Sequence, residues 1–175
     1  MKLSVIITTY NSEEWLRKVL LGYAIQTIQD FEIIVADDGS TNKTKEVIQQ
    51  FQDKFKHPIL HVWHKDEGFR KCKILNKAIV QSNSDYLLFT DGDCIPRKDF
   101  VANHLKQKEK GYFLSGGYFK LPMSISKAIS DDDILSQKCF EFSWLNKQGL
   151  KLNFKITKLI HNNYFAAFMN WVTPT

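Results

Sequence analysis

A chain of 175 residues, 43% hydrophobic and 25% charged, has the composition of one ordinary globular domain, long enough to bury a core without disulfide or metal staples. Eight Gly and four Pro exclude a collagen-like or low-complexity polymer, and no uninterrupted apolar run approaches the ~18 residues of a membrane-spanning helix. The formal charge is +5, but residues 1–100 hold 14 basic and 14 acidic side chains, so the whole excess lies in 101–175, where the ten basic residues are all Lys and widely spaced. Nucleic-acid recognition asks for clustered Arg with interleaved aromatics, so no nucleic-acid partner is expected.

The first apolar run, Leu3–Ile7, is too short for a signal peptide and gives way at once to polar Thr8 and Thr9, so a cytoplasmic location is expected. Leu3–Thr8 reads instead as a buried strand. Three further segments have the same character: Phe31–Ala36, Ile59–Trp63 and Tyr86–Thr90. Between them, Glu13–Ile25 sets Trp15, Val19 and Leu20 on one helical face, Thr44–Phe55 repeats Val47, Ile48 and Phe51, and Lys71–Val80 repeats Ile74, Leu75, Ala78 and Ile79. Strand–helix alternation with runs of Val, Ile, Leu and Phe predicts an α/β fold, a mostly parallel sheet with helices on both faces. Beyond residue 100 the pattern predicts a short helix at Phe100–Lys110, a strand at Tyr112–Phe119 interrupted by Gly116 and Gly117, and one helix at Asp131–Lys147. Leu150–Ile160 fits either period and is read as a helix. No linker divides the chain, so one domain is expected, with a core at 1–120 and a helical region of the same domain at 121–175.

In parallel α/β sheets ligands gather at the carboxyl ends of the strands. The polar clusters of this chain fall at those ends. Asp91-Gly92-Asp93 follows the fourth strand, and two carboxylates one residue apart are costly to desolvate unless a cation or hydrogen-bond donors compensate. Their oxygens suit a hard divalent ion, Mn²⁺ or Mg²⁺, although Asp-Gly is also an ordinary turn. Asp37-Asp38-Gly39-Ser40 follows the second strand. One of its carboxylates can cap the next helix, which leaves the other for base or ribose donors. Tyr10 offers an aromatic face at the end of the first strand. After the third strand, Gly68 permits an unusual backbone angle, and Arg70, Lys71 and Lys73 offer cations for a diphosphate. The three scattered cysteines, Cys72, Cys94 and Cys139, show no disulfide or zinc spacing and are read as reduced thiols.

Taken together, Val5–Asn11, Val35–Thr41, Gly68 with Asn76–Ala78, and Thr90–Asp93 resemble, in order and spacing, the family-2 glycosyltransferases. The resemblance covers residues 2–120. It implies the GT-A fold, a nucleotide-sugar donor that is usually a UDP-sugar, a divalent metal, and transfer with inversion to a glycan or glycolipid acceptor. By position, Thr8, Tyr10 and Asp38 match nucleoside contacts, Gly68 and Arg70 the nucleotide-binding segment, Asp91 a carboxylate near ribose and sugar, and Asp93 the metal ligand. The stretch His64–Arg70 is most similar to bacterial members that extend polysaccharides of the cell envelope, including chondroitin-polymerase-like enzymes.

Such relatives supply their general base from an acidic pair that nothing after Asp131–Asp133 matches, so the base is expected beyond Thr175 and the chain is expected to be a piece of a longer enzyme or a reduced protein. A noncatalytic nucleotide-sugar-binding module is the alternative. A flavodoxin-like signalling domain with an acidic pocket is a third reading, separated by stable phosphorylation of an Asp. In the tail, Lys151, Lys155 and Lys158 recur beside Leu152, Ile156, Leu159 and Ile160. As a helix this stretch packs its apolar face on the sheet or, alternatively, rests peripherally on an anionic membrane.

Overall fold

The computed structural model describes residues 2–151. By backbone contacts the chain forms two compact units, Met1–Phe113 and Leu114–Thr175. In the first, β1 (Ser4–Thr9), β2 (Glu32–Asp37), β3 (Leu60–Trp63) and β4 (Leu87–Asp91) make one sheet in the order β3-β2-β1-β4. Every pairing is parallel, with Ile6 opposite Ile34 on one side and Phe89 on the other. The connections are α1 (Glu13–Ala24), α2 (Asn42–Phe51), a 3₁₀ turn at Gln52–Lys54 and α3 (Lys71–Val80), and α4 (Phe100–Gln107) follows β4.

The period of two along each strand divides the core into two layers. Val5, Ile7, Ile33 and Val35 face Leu16, Val19, Leu20 and Tyr23 of α1, Ile48 and Phe51 of α2, and Val101 of α4. Ile6, Ile34, Ala36 and Val62 face Ile74 and Ala78 of α3. Both faces of β1 and β2 are therefore buried, which is why these strands read as continuous apolar runs instead of alternating ones.

At the amino end of the sheet the fold buries a charge. The Ser4 hydroxyl donates to Glu32 Oε1 at 2.5 Å, and the backbone and side-chain N–H groups of Asn83 donate to the same carboxylate at 2.7 and 3.0 Å. Burial pushes the Glu32 carboxyl up, but the Ser4 and Asn83 hydrogen bonds outweigh it and hold the group below its ordinary value.

The second unit differs from expectation. Tyr112–Phe119 forms no strand, because no described strand pairs with it and its two glycines favour no extended conformation. A short helix, α5 (Met123–Ala128), follows; its six residues are too few to show a period. The expected helix at Asp131–Lys147 is broken into α6 (Asp131–Leu135), a 3₁₀ turn at Lys138–Phe140 and α7 (Phe142–Lys147). The break is at Gln137, whose φ of 64° cannot continue a right-handed helix. Asp131–Asp133 form the first turn of α6, where Ser130 and Asp133 make a reciprocal capping box. Ile125, Leu145 and Leu150 form this unit's small core. Of the tail helix read over Leu150–Ile160, residues 152–160 lie outside the described residues. No described helix is long and apolar enough to cross a membrane.

Because folding lowers its pKa, Glu32 adds stability above its ordinary value of 4.5 and loses it as pH falls through the lower folded value. Glu32→Gln is expected to lower stability at pH 7 by about 1–3 kcal/mol, with the gap from wild type closing as urea unfolding is repeated at lower pH. A gap that is constant with pH would show that the carboxylate's charge contributes nothing.

Candidate functional site at the carboxyl ends of the strands

The strand order reverses between β1 and β4, because the chain moves from β1 out to β3 and then returns to the other side of β1. Ligands of open α/β sheets bind outside the carboxyl ends of the strands at this switch point. A cavity of about 510 Å³ lies there, within the range of small-molecule sites. Thr8, Tyr10, Asp38, Gly68, Asp91 and Asp93 all line it.

The two strand ends at the switch point meet through Gly92, whose N–H donates to the Thr8 carbonyl at 2.8 Å. A Cβ at residue 92 would lie 2.8 Å from that same oxygen, so only glycine lets β4 end this close to β1. The tight passage turns Asp91 and Asp93 toward the cavity. Asp91 Oδ1 accepts from the Lys71 ammonium at 2.5 Å and the Thr8 hydroxyl at 2.9 Å. The Lys71 hydrogen bond above all, with the Thr8 contact, outweighs partial burial and holds the Asp91 carboxyl below the usual carboxylate range. Asp93 is exposed, and its described contact is the Cys94 thiol at 3.6 Å.

The ligand atoms of Asp91, Asp93 and Cys94 lie within 4.8 Å of one another. Burial, and then the charges of Asp93 and Asp91, push the Cys94 thiol up to about 11, so at neutral pH it is a weak partner for a hard cation. The donor set that fits Mn²⁺ or Mg²⁺ is the pair of carboxylates.

The second strand end is built differently. Asp37 is fully buried. Its Oδ1 accepts from the Ser40 N–H at 2.8 Å, and its Oδ2 lies 2.8 Å from His61 Nε2. Asp38 reaches the cavity, with Oδ1 2.7 Å from His64 Nε2 and Oδ2 accepting from the Arg70 N–H at 2.9 Å. The expectation that one of these aspartates caps α2 is not met. Thr41 occupies the cap position, and Asp37 closes the preceding turn instead. Gly39 sits in that turn at φ 102°, with Asp66 so close that a Cβ would meet its Cα at 2.6 Å.

Cross-loop contacts hold the cavity rim. The Tyr10 hydroxyl donates to Asp66 Oδ2 at 2.9 Å, and the Gly68 N–H donates to Asp66 Oδ1 at 3.0 Å. Those two donors, Gly68 first, hold the Asp66 carboxyl below the usual range, and the hydrogen bond to Asp66, followed by its charge, pushes the Tyr10 phenol up. Asn11 accepts from the Thr41 N–H and donates its own N–H to the Ser40 hydroxyl.

Arg70 departs from the other predicted residues. Its guanidinium lies 3.4 Å from Glu67 and does not line the cavity, and the ammonium at the carboxylates is Lys71. Spacing alone does not separate three neighbouring cations; the start of α3 at Lys71 does, by turning that side chain toward β4. Trp15, expected on the core face of α1, lines the cavity, as does the exposed Phe69. Local spacing does not single out His64 as a site residue, because only the packing of β3 beside β2 brings it to Asp38.

A family model described as glycosyl transferase family 2 matches residues 4–171. An uncharacterized glycosyltransferase of Bacillus subtilis (strain 168) is 36% identical over 124 residues, which cover 69% of this chain and 31% of that protein. The chondroitin synthase of Escherichia coli is 32% identical over 105 residues, 59% of this chain and 15% of the other. Among solved structures, residues 1–349 of S. aureus TarS in complex with UDP-GlcNAc match with a TM-score of 0.53 and 30% identity, over 61% of this chain and 30% of that one. The chain spans less than a third of the length of each of these relatives.

Gly92→Ala is expected to force β4 away from the Thr8 carbonyl and to lower stability by about 1–3 kcal/mol in urea unfolding, the usual penalty for overpacking. An unchanged unfolding midpoint would mean that the passage has room to spare.

Proposed function

The chain belongs to glycosyl transferase family 2 and carries the GT-A fold, and on that premise we propose that its strand-end cavity binds a nucleotide-sugar donor, a UDP-sugar, for transfer to a glycan or glycolipid acceptor. The observation that carries this reading is the convergence of three carboxylates, Asp38, Asp91 and Asp93, with the Tyr10 ring and the Lys71 ammonium on a single cavity at the switch point of the sheet.

In this reading each group has a separate task. Tyr10, half exposed, presents its ring to the base. Asp38 accepts a hydrogen bond from the nucleoside on a lone pair left over by His64 and Arg70, since a carboxylate has about four acceptor sites. Thr8 orients Asp91 toward ribose and sugar. Lys71 shifts part of its charge from Asp91 to the diphosphate. Asp93 and Asp91 hold Mn²⁺ or Mg²⁺, which when bound supplies positive charge to the leaving diphosphate. The acceptor hydroxyl then attacks the anomeric carbon from the side opposite the diphosphate. The new glycosidic bond forms as the carbon–phosphate oxygen bond breaks, UDP departs, and the configuration inverts. The acceptor's proton passes to a base outside these residues. A cytoplasmic location, with Lys151–Ile160 as a peripheral membrane contact, belongs to the same proposal.

Calorimetry of UDP binding in Mg²⁺ and in EDTA tests it. The expected result is UDP affinity at least tenfold weaker in EDTA, with Asp93→Ala weak in both conditions, a change of about 1.4 kcal/mol or more. Equal affinity in the two conditions would remove the metal from the reading, and the absence of any UDP binding would remove the donor site itself.

A further inference from the structure

Asp38 is a carboxylate at the edge of a cavity with its side chain 9% exposed, and a group so placed needs its direction fixed before a ligand arrives. Two donors fix it. One is the Arg70 backbone N–H, supplied by the chain just before α3. The other is the imidazole of His64, also 9% exposed, at 2.7 Å. The ring reaches Asp38 because β3 is parallel to β2, with Trp63 in register with Asp37, so the residue after each strand end stands beside its neighbour. The Trp63 indole N–H donates to the Ser40 carbonyl at 3.0 Å and clamps the same two loops together. Asp38 being a carboxylate, the proton between the two groups sits on His64 Nε2, and the ring acts as donor.

We propose that His64 is a positioning residue for the nucleoside: its Nε2–H holds the Asp38 carboxylate so that the remaining lone pairs face the N–H edge of a uracil base. This rests on the donor-site reading above. The imidazole touches no ligand. It acts only through Asp38, and a rigid ring at a strand end restricts the carboxylate more than a flexible donor would. Asp37, next in the chain, is held by His61 in a parallel contact, but it is fully buried and lies outside the cavity lining. Of these two neighbouring pairs, only His64–Asp38 borders the cavity.

A double-mutant cycle read by calorimetry with uridine tests the inference. His64→Leu is expected to bind uridine about tenfold more weakly than wild type, and His64→Gln, which keeps an N–H donor, to recover most of that loss. In an Asp38→Ala background, His64→Leu is expected to change uridine affinity less than twofold, because the group it positions is already gone. His64→Leu binding as well as wild type, no rescue by His64→Gln, or independent losses that add in the double variant would each overturn it. Urea unfolding of every variant reports the fold. Should His64→Leu not fold, His64→Asn, whose amide is too short to reach, takes its place with the same expected tenfold loss. Wild-type protein that binds no uridine at all would instead overturn the donor-site reading, and this inference with it.

Discussion

Parallel pairing in the order β3-β2-β1-β4 is the constraint on which everything else here depends. It brings the carboxyl ends of four strands to one edge, and it leaves the chain no choice but to reverse direction four times in the same place. Because β1 is central and β4 joins it from the side opposite β2, the crevice opens between the two. The Gly92 N–H on the Thr8 carbonyl keeps that crevice narrow at its floor. The loops above it are fastened to each other and not only to their own strands: Asn11 to Ser40 and Thr41, Tyr10 to Asp66, Trp63 to Ser40, His64 to Asp38. A shift in any one of them is resisted by a hydrogen bond to the next.

Electrostatics assigns different duties to carboxylates that look alike in sequence. Asp37 is fully buried and spends both oxygens inside the protein, on Ser40 and His61. Asp38, one residue on, faces the cavity while two internal donors steady it. Asp91 shares its charge with Lys71 and Thr8. Asp93 stands exposed beside a thiol that burial keeps protonated. Desolvation thus runs from complete at Asp37 to slight at Asp93, and the carboxylate best able to meet an external cation is the one with the least internal compensation.

Much of the first unit was legible from residue patterns, because both faces of its central strands are buried and such strands read as uninterrupted apolar runs. Leu3–Thr8 and Phe31–Ala36 lie within one residue of β1 and β2. The acidic clusters were legible for the same reason, since polar residues directly after such a run sit at a strand end. Choosing among neighbours was not. Arg70 and Lys71 differ by one position, and only the helix start sends one to Glu67 and the other to Asp91. His64 and Asp38 are 26 residues apart, a contact made by strand register and invisible to local spacing. The second unit resisted reading because its described helices are five or six residues long, shorter than two turns, and because Gln137 adopts a left-handed angle that its identity does not announce.

Backbone amide spectra recorded as UDP and Mg²⁺ are added would test the central claim most directly, namely that four strand ends form one donor site. The expected shifts fall in residues 8–12, 38–41, 66–71 and 91–94 together, saturating at a single concentration. Shifts confined to the outer face of α3, where Lys73, Asn76, Lys77, Val80 and Gln81 line a second, shallower groove, would place the ligand elsewhere and contradict the account.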